Sequence, residues 1–443
     1  AQAASADVIA VNHHLLGADL AASGAILPEH DVLVVDEAHA LEDTVTDSLG
    51  IAISPGRIRA VAAMARSAGA GRGRRSLEAA VDAVMDAGTR LEIVLEGRLP
   101  GRIVEPVDAE LHSAVELTRS RLEALEGALG RRDPNASGAN DAQPALRASL
   151  ASTRLRVEID RFLAMSADDV AWIEESRRRV IRVAPIDVAS LLNERLFSTR
   201  TVVLTSATIT RGLGPRLGAD PDMIDELDVG SPFEYASHAL LYCGAHLPDR
   251  RSEQAEAAIH DELAALIEAA EGRTLALFTS YGAMRRAADA MRLRVSYPLF
   301  VQGDLAKSAL VERFSGELAA CLFATMGFWQ GIDIPGATLS LVVIDRIPFP
   351  RPDDPLIAAR RERAGKEAFL AIDLPRAASL LAQGVGRLIR TATDRGVVAV
   401  LDPRLANASY RWQLVRVLPP MRRTKVRADA EAFLRALPRE ARS

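Results

Sequence analysis

The sequence predicts an α/β protein with two parallel-sheet domains and a helical insertion in the first. Three observations predict it. Val32-Leu33-Val34-Val35 before Asp36-Glu37, and Thr201-Val202-Val203-Leu204 before Thr205-Ser206, are apolar runs ending in polar residues, as strands buried in a parallel sheet are. Between them, apolar residues recur at helical spacing. Beyond Ser231-Pro232-Phe233, strand-like and helical stretches alternate, which points to a second parallel sheet. A chain of 443 residues asks for two or three domains.

The elements follow in order. Val8-Ile9-Ala10-Val11 reads as a strand neighbouring Val32–Val35. Asn12-His13-His14 reads as a polar turn with surface histidines rather than a metal site, because no acidic or Cys partner stands at ligand spacing. Residues 1–51 are assigned to the first lobe. Residues 52–165 are assigned to the helical insertion. Leu77, Val81, Val84, Leu91 and Val94 keep a helical period, as do Leu111, Val115, Leu122, Leu125 and Leu129, then Leu146, Leu150, Leu155, Ile159 and Phe162. Gly130 to Asn140 reads as a loop. The Gly71-Arg72-Gly73-Arg74-Arg75 run is a solvated loop or a phosphate contact. Residues 166–215 return to the first lobe through Val170–Glu174, Val180–Val183 and the Thr201 strand, which shares a sheet with Val32–Val35. Residues 216–443 form the second lobe. Its expected strands are Ala239–Tyr242, Thr274–Phe278, Cys321–Ala324, Leu339–Ile344 and Val397–Leu401. Its expected helices are Glu253–Ala270, Gly282–Leu293 and Arg376–Arg390.

Composition excludes several classes. Hydrophobic content of 49% with 26% charged residues is that of a soluble globular protein, and no apolar run is long enough to span a bilayer. Net charge is −5, so any nucleic-acid path must be local. The basic residues are almost all Arg, with Lys only at 307, 366 and 425. The two cysteines, Cys243 and Cys321, fit a reducing, cytoplasmic compartment and cannot supply a four-thiolate iron–sulfur site. The chain opens on Ala1-Gln2-Ala3 without Met, which reads as entry in mid-domain.

Five stretches carry chemistry. Asp36-Glu37 at a strand end suits phosphoryl transfer, one carboxylate holding Mg²⁺ and the next polarising a water; a plain acidic helix start is the alternative. His39 links that centre to motion elsewhere. On a helix, Gln383, Arg387 and Arg390 share one face at i, i+4 and i+7, where two arginines fit a γ-phosphate; a solvated basic helix end is the alternative. Gly384 and Gly386, each about 1 kcal/mol poorer than Ala in a helix, point to close backbone approach. Thr205-Ser206-Ala207-Thr208 places hydroxyls where Ser206 and Thr208 couple two lobes by hydrogen bonds. Phe278-Thr279-Ser280-Tyr281 offers Thr279 and Ser280 to a nucleic-acid phosphate. Thr325-Met326-Gly327-Phe328-Trp329-Gln330-Gly331-Ile332-Asp333 joins a strand end to aromatics that either stack bases or are buried.

In this order the stretches resemble a superfamily 2 helicase of the DinG/XPD type. Val32–His39 resembles its DEAH-box Walker B motif, Thr205–Thr208 motif III, and Thr279-Ser280 motif IV. Thr325–Gly336 resembles motif V and Gln383–Arg390 motif VI. Gly230-Ser231-Pro232-Phe233, the stretch from Ile347 to Pro355 and the stretch from Leu418 to Thr424 are similar to the bacterial DinG branch. The resemblance implies two RecA-like parallel-sheet lobes, the first incomplete here, with a helical Arch insertion between motifs II and III. It implies ATP-dependent 5′→3′ unwinding of DNA in repair or replication by a monomer acting on single-stranded, forked or R-loop DNA, with no membrane partner. ATP and Mg²⁺ are the implied cofactors, Asp36 the Mg²⁺ ligand, and Asp36, Glu37, His39, Gln383, Arg387 and Arg390 the catalytic set. Gly331, Asp333 and Gly386 are assigned to the nucleotide. Thr279, Ser280, Thr325, Phe328 and Trp329 are assigned to nucleic acid.

One family element has no counterpart. Phosphate binding needs G-x-x-x-x-G-K-[ST], and none of the three lysines stands in that context. The chain is therefore expected to be the carboxyl-terminal portion of such a helicase, ATPase-inactive alone. An iron–sulfur cluster, where the family has one, is expected upstream. The alternatives are a DNA-binding remnant that does not hydrolyse ATP, and a DinG-like nuclease with a degenerate helicase, for which no acidic constellation is visible.

Overall fold

A computed structural model describes residues 5–68, 74–105, 107–130, 139–175, 177–207, 212–328 and 339–437. The chain divides into two compact units. Unit one holds residues 1–205, 214–224 and 351–365; unit two holds residues 206–213, 225–350 and 366–443.

Unit one opens differently from expectation. Val8–Val11 is not a strand; Val8 is 86% exposed, and no described strand runs beside it. An apolar run becomes a strand only where a partner takes its backbone groups. Asn12 instead caps the helix His13–Ala21, its side chain accepting from Leu15 N, so the two histidines begin a helix rather than lie in a turn.

Strands β1 (Val32–Val35) and β6 (Thr201–Leu204) pair in parallel, Val32 opposite Thr201 and Val35 opposite Leu204, as expected. Burial is one-sided. Val35 is buried, whereas Val32 and Val34 are more than half exposed, so the expectation of a strand buried on both faces holds for one face only. β1 and β6 are the two strands of this sheet among the described residues.

Among the described residues the insertion holds four helices, Pro55–Ser67, Arg74–Glu96, Ala109–Gly130 and Ala139–Ala164. The predicted periodic residues face inward: Leu77, Val81, Val84, Leu91, Leu111, Leu122, Leu125, Leu155, Ile159 and Phe162 are all at most 4% exposed in one core. Leu146 and Leu150 are exposed instead. A four-stranded antiparallel sheet packs against this core, in the order β2 (Ile51–Ile53), β5 (Val180–Pro185), β4 (Asp169–Glu174), β3 (Gly101–Ile103). The stretches around Val170 and Val180 thus pair with strands of the insertion, not with β1. Residues 131–138 and Gly71 to Gly73 lie outside the described residues.

Among the described residues unit two holds one seven-stranded sheet, all parallel, in the order β13-β7-β12-β11-β8-β10-β9. β7 (Ala239–Cys243), β8 (Thr274–Phe278), β10 (Cys321–Thr325), β11 (Leu341–Ile344) and β12 (Gly396–Val400) match the five expected strands. β9 (Leu299–Val301) and β13 (Arg422–Thr424) are additional edge strands. Alternate residues serve two cores. Leu241, Leu277, Val342 and Val398 pack with the helix Leu374–Val385 on one face. Tyr242, Phe278, Val343 and Ala399 pack with the helices Ala255–Ala269, Tyr281–Arg292 and Arg427–Arg435 on the other. Burial on both faces is why these strands read as unbroken apolar runs.

Candidate nucleotide and nucleic-acid sites

The acidic pair sits where β1 ends. β6 continues the ladder past the strand: Thr205 N donates to Val35 O at 2.8 Å, and Ala38 N donates back to Thr205 O at 2.9 Å. Asp36 and Glu37 occupy the resulting turn, both exposed. The Thr205 hydroxyl donates to Asp36 Oδ1 at 3.0 Å, and Glu37 N donates to the same oxygen at 2.9 Å. Asp36 Oδ2 takes no hydrogen bond among the described residues. The His13 ring meets Asp36 O at 2.7 Å.

Glu37 adopts φ 50°, ψ 44°, the left-handed region that costs a non-glycine residue about 1–2 kcal/mol. The turn it makes throws the chain into Ala38–Ala40 and then the helix Leu41–Leu49. His39 lies 3.3 Å from Glu37 Oε2, with its side chain 14% exposed and that of Glu37 60% exposed. Burial pushes the His39 imidazole below its ordinary value and His13 adds to this; Glu37, Asp43 and Asp36 pull the other way without offsetting burial. An exposed carboxylate with one oxygen unengaged fits Mg²⁺, which keeps several waters and takes one or two protein carboxylates beside substrate phosphates.

In unit two the expected catalytic helix is shorter than predicted. It ends at Val385, with Gly386 as its cap. Arg387 N turns back to Gly384 O at 3.2 Å and Leu388 N to Val385 O at 3.2 Å, while Leu388 and Ile389 are buried. Only Gln383 of the three side chains is on the helix; Arg387 and Arg390 lie on the loop beyond it. The i, i+4, i+7 face is corrected accordingly. Asp394, 8% exposed, holds that loop by accepting from Arg390 N and Thr391 N at 2.8 Å each. A β-carbon on Gly386 would sit 3.3 Å from Ala382 O.

The other candidates separate. Thr279 ends β8. Ser280 caps the next helix, its hydroxyl accepting from Ala283 N at 3.2 Å. Thr325, at the end of β10, donates through N and Oγ1 to Gln302 Oε1 at 2.7 and 2.9 Å, and the Gln302 amide donates to the Tyr281 hydroxyl. Phe328 is 7% exposed in the core, with Lys307 Nζ 5.4 Å over its ring, so of its two alternatives the structure shows burial. Ser206 begins unit two's first segment. Thr208, Trp329, Gly331 and Asp333 lie outside the described residues. His13, Thr205, Tyr281, Gln302 and Asp394 were not among the expected site residues. Polar residues directly after a strand run would have pointed to Thr205 and Gln302; His13 and Tyr281 stand in stretches noted in the sequence without a site role, and nothing local marks Asp394.

Cys243 and Cys321 are buried, and burial pushes each thiol up to about 12. Cys243 is in β7 and Cys321 in β10, with three strands between. They do not fit an iron–sulfur cluster, whose ligands are clustered thiolates. Among the described residues no helix is long and apolar enough to cross a membrane.

A parallel strand ending in an acidic turn, with a second parallel sheet carrying a Gln/Arg loop, defines the class of superfamily 2 helicases. The comparisons agree. Residues 263–421 match the family described as helicase C-terminal domain. The solved XPD helicase superposes with a TM-score of 0.56 at 19% identity, over 89% of this chain and 68% of that one. ATP-dependent helicase DinG of Mycobacterium tuberculosis (strain ATCC 25618 / H37Rv) is 42% identical over 98% of this chain and 67% of its own length. ATP-dependent DNA helicase YoaA of Escherichia coli (strain K12) is 33% identical over 98% and 70%. The chain belongs to the DinG family of XPD-type helicases.

Proposed function

We propose that this chain carries the acidic turn and the Gln/Arg loop of an ATP-driven DNA helicase that moves 5′→3′ on single-stranded DNA and opens forked or R-loop substrates in repair or replication. The observation that carries this is the Asp36-Glu37 turn, held by Thr205 at the open end of a parallel strand. Mg²⁺ bound at Asp36 would neutralise phosphate charge. Glu37 orients the attacking water and takes its proton. Gln383, Arg387 and Arg390 are assigned to the γ-phosphate, where charge develops in the transition state. Thr279, Ser280 and Thr325 are assigned to DNA phosphates. The protein acts as a monomer. The 443 residues alone hydrolyse ATP at background rate, because no lysine stands in a phosphate-loop context.

The test joins this chain to a segment supplying that loop and measures DNA-stimulated ATP turnover with and without Glu37→Gln. Turnover that appears with the loop and vanishes in the variant is expected. Equal turnover by Glu37→Gln would refute the role of Glu37. DNA-stimulated turnover by the 443 residues alone would refute the need for the loop.

A further inference from the structure

The chain between β11 and the helix Leu374–Val385 does not stay with the unit that holds both. It leaves unit two after Pro350, joins unit one for residues 351–365, and returns at Lys366. That excursion is a helix, Pro355–Ala364. Asp354 caps it, accepting from Leu356 N and Ile357 N at 3.0 Å each. Ala359 packs with Val170 and Ile186 beside β4. Arg363 pairs with Asp168 at 2.7 Å, and Glu362 with Arg102 at 2.6 Å, both at the rim.

Arg360 is different. It is 6% exposed, and its guanidinium is spread over four acceptors. Nε donates to Ile186 O at 2.8 Å and Nη2 to Thr46 Oγ1 at 3.1 Å. Nη1 pairs with Glu42 Oε1 at 2.9 Å and Asp43 Oδ1 at 3.3 Å. Glu42, Asp43 and Thr46 all belong to the helix Leu41–Leu49, which starts two residues after His39. Thr46 is fully buried and donates to Glu42 O at 2.8 Å, so the clamp closes on itself. Arg216 also approaches Glu42, at 3.4 Å.

We propose that residues 351–365 are a strap and that Arg360 is a positioning residue for the acidic turn. It grips the helix Leu41–Leu49, and that helix is continuous through Ala38–Ala40 with Asp36 and Glu37. The strap lies in sequence between β11 and the helix bearing Gln383. A pull on either end of it is therefore transmitted to the segment that carries the acidic pair. Only a planar five-donor fork serves Ile186 O, Thr46 and two carboxylates together; lysine, a point charge, keeps attraction to the carboxylates and loses the rest. The catalytic part of this inference rests on the helicase reading. The mechanical part does not.

The test is amide hydrogen exchange on the 443-residue chain with Arg360→Ala, Arg360→Lys and, as a rim control, Glu362→Ala, followed by ATP turnover in the loop-completed protein. Removing one partner of a buried ion pair is expected to speed exchange over residues 38–49 by about tenfold or more. Helix Ala139–Ala164, β8 and β10 are expected to exchange as before, and Glu362→Ala to behave as wild type. In turnover, Arg360→Lys is expected to lower kcat about tenfold with KM for ATP within about threefold, since the pair is misplaced rather than lost. Unchanged exchange over 38–49 overturns the strap. Faster exchange throughout unit one overturns it too, because Arg360 is then a stability element. Selective exchange with unchanged kcat overturns the positioning role. A wild-type protein that turns over no ATP refutes the helicase reading alone, and exchange still decides the strap. If Arg360→Ala does not fold, Arg360→Lys carries the same tests.

Discussion

Removing the Asp402 carboxylate should loosen unit two by about 3 kcal/mol. Asp402 follows β12 with its side chain 1% exposed. One oxygen accepts from Ile347 N at 3.0 Å, and the carboxylate takes Arg404 N at 3.0 Å and Arg404 Nη2 at 2.7 Å. In Asp402→Ala the Ile347 amide, in a residue 1% exposed, is stranded at about 1–3 kcal/mol. The Arg404 side chain is 45% exposed, so water replaces much of its lost partner and that part is about 1 kcal/mol. Asp402→Asn keeps an acceptor for Ile347 and should lose only about 1 kcal/mol. Urea melts compare the three proteins. A loss below about 1 kcal/mol for Ala, or equal losses for Ala and Asn, would show that the carboxylate does not hold this loop. The pH dependence adds a sign. Burial pushes Asp402 up, but Arg404 and the Ile347 and Arg404 amides leave it below its ordinary 3.8. The unfolded chain therefore binds the proton first. Asp402's contribution is full above 3.8 and is lost as pH falls through the lower folded value, so the Asn deficit should shrink in acid.

Three further outcomes follow from the geometry. Glu37→Gln should lower the His39 pKa further, because it removes the carboxylate that counters burial; NMR titration of the ring reads this directly, and a rise would contradict the 3.3 Å contact. Arg387→Ala, in a protein that turns over ATP, should reduce kcat by about 10³ with little change in KM or DNA binding; steady-state kinetics showing a KM effect alone would place Arg387 in ground-state binding. Gly396→Ala should destabilise unit two by about 2 kcal/mol or more, since a β-carbon there would lie 2.2 Å from Ser340 O and force β12 from β11; a melting temperature within a degree or two of wild type would show that the strands can part cheaply.

The elements legible in the sequence were those whose burial is written locally. β7, β8, β10, β11 and β12 lie inside a sheet covered on both faces, so apart from Thr274 and Thr325 at strand ends their residues are apolar or glycine and the runs announce themselves. β13 escaped because Arg422-Arg423-Thr424 is an edge strand. Its arginines lie over Phe433 and Trp412 instead of entering the core, and nothing in their composition reads as strand. Val8–Val11 failed in the opposite sense: it has the composition and no partner. The Gln383 helix is shorter than its apolar period because Leu388 and Ile389 prolong that period after Gly386 has ended the helix; burial in a turn and burial on a helix look alike along the chain.

The site divides in the same way. Asp36 and Glu37 were legible because a strand end and two adjacent carboxylates are four to six residues of text. What holds them was not. His13 reaches Asp36 across 23 residues, Thr205 across 169, and Arg360 reaches Asp43 across 317. Arg360 stands among Arg361 and Arg363 on a helix whose sequence reads as an ordinary basic surface, and only the fold shows that one of the three is buried against carboxylates. Chemistry that must act on a ligand is displayed by residue type at an exposed strand end. The supports that give it position are distributed, since a turn with a strained Glu37 persists only where several elements over-determine it. That makes the supports the more informative targets: a change at Glu37 removes a reacting group, whereas a change at Arg360 leaves every reacting group in place and asks whether position alone sustains turnover.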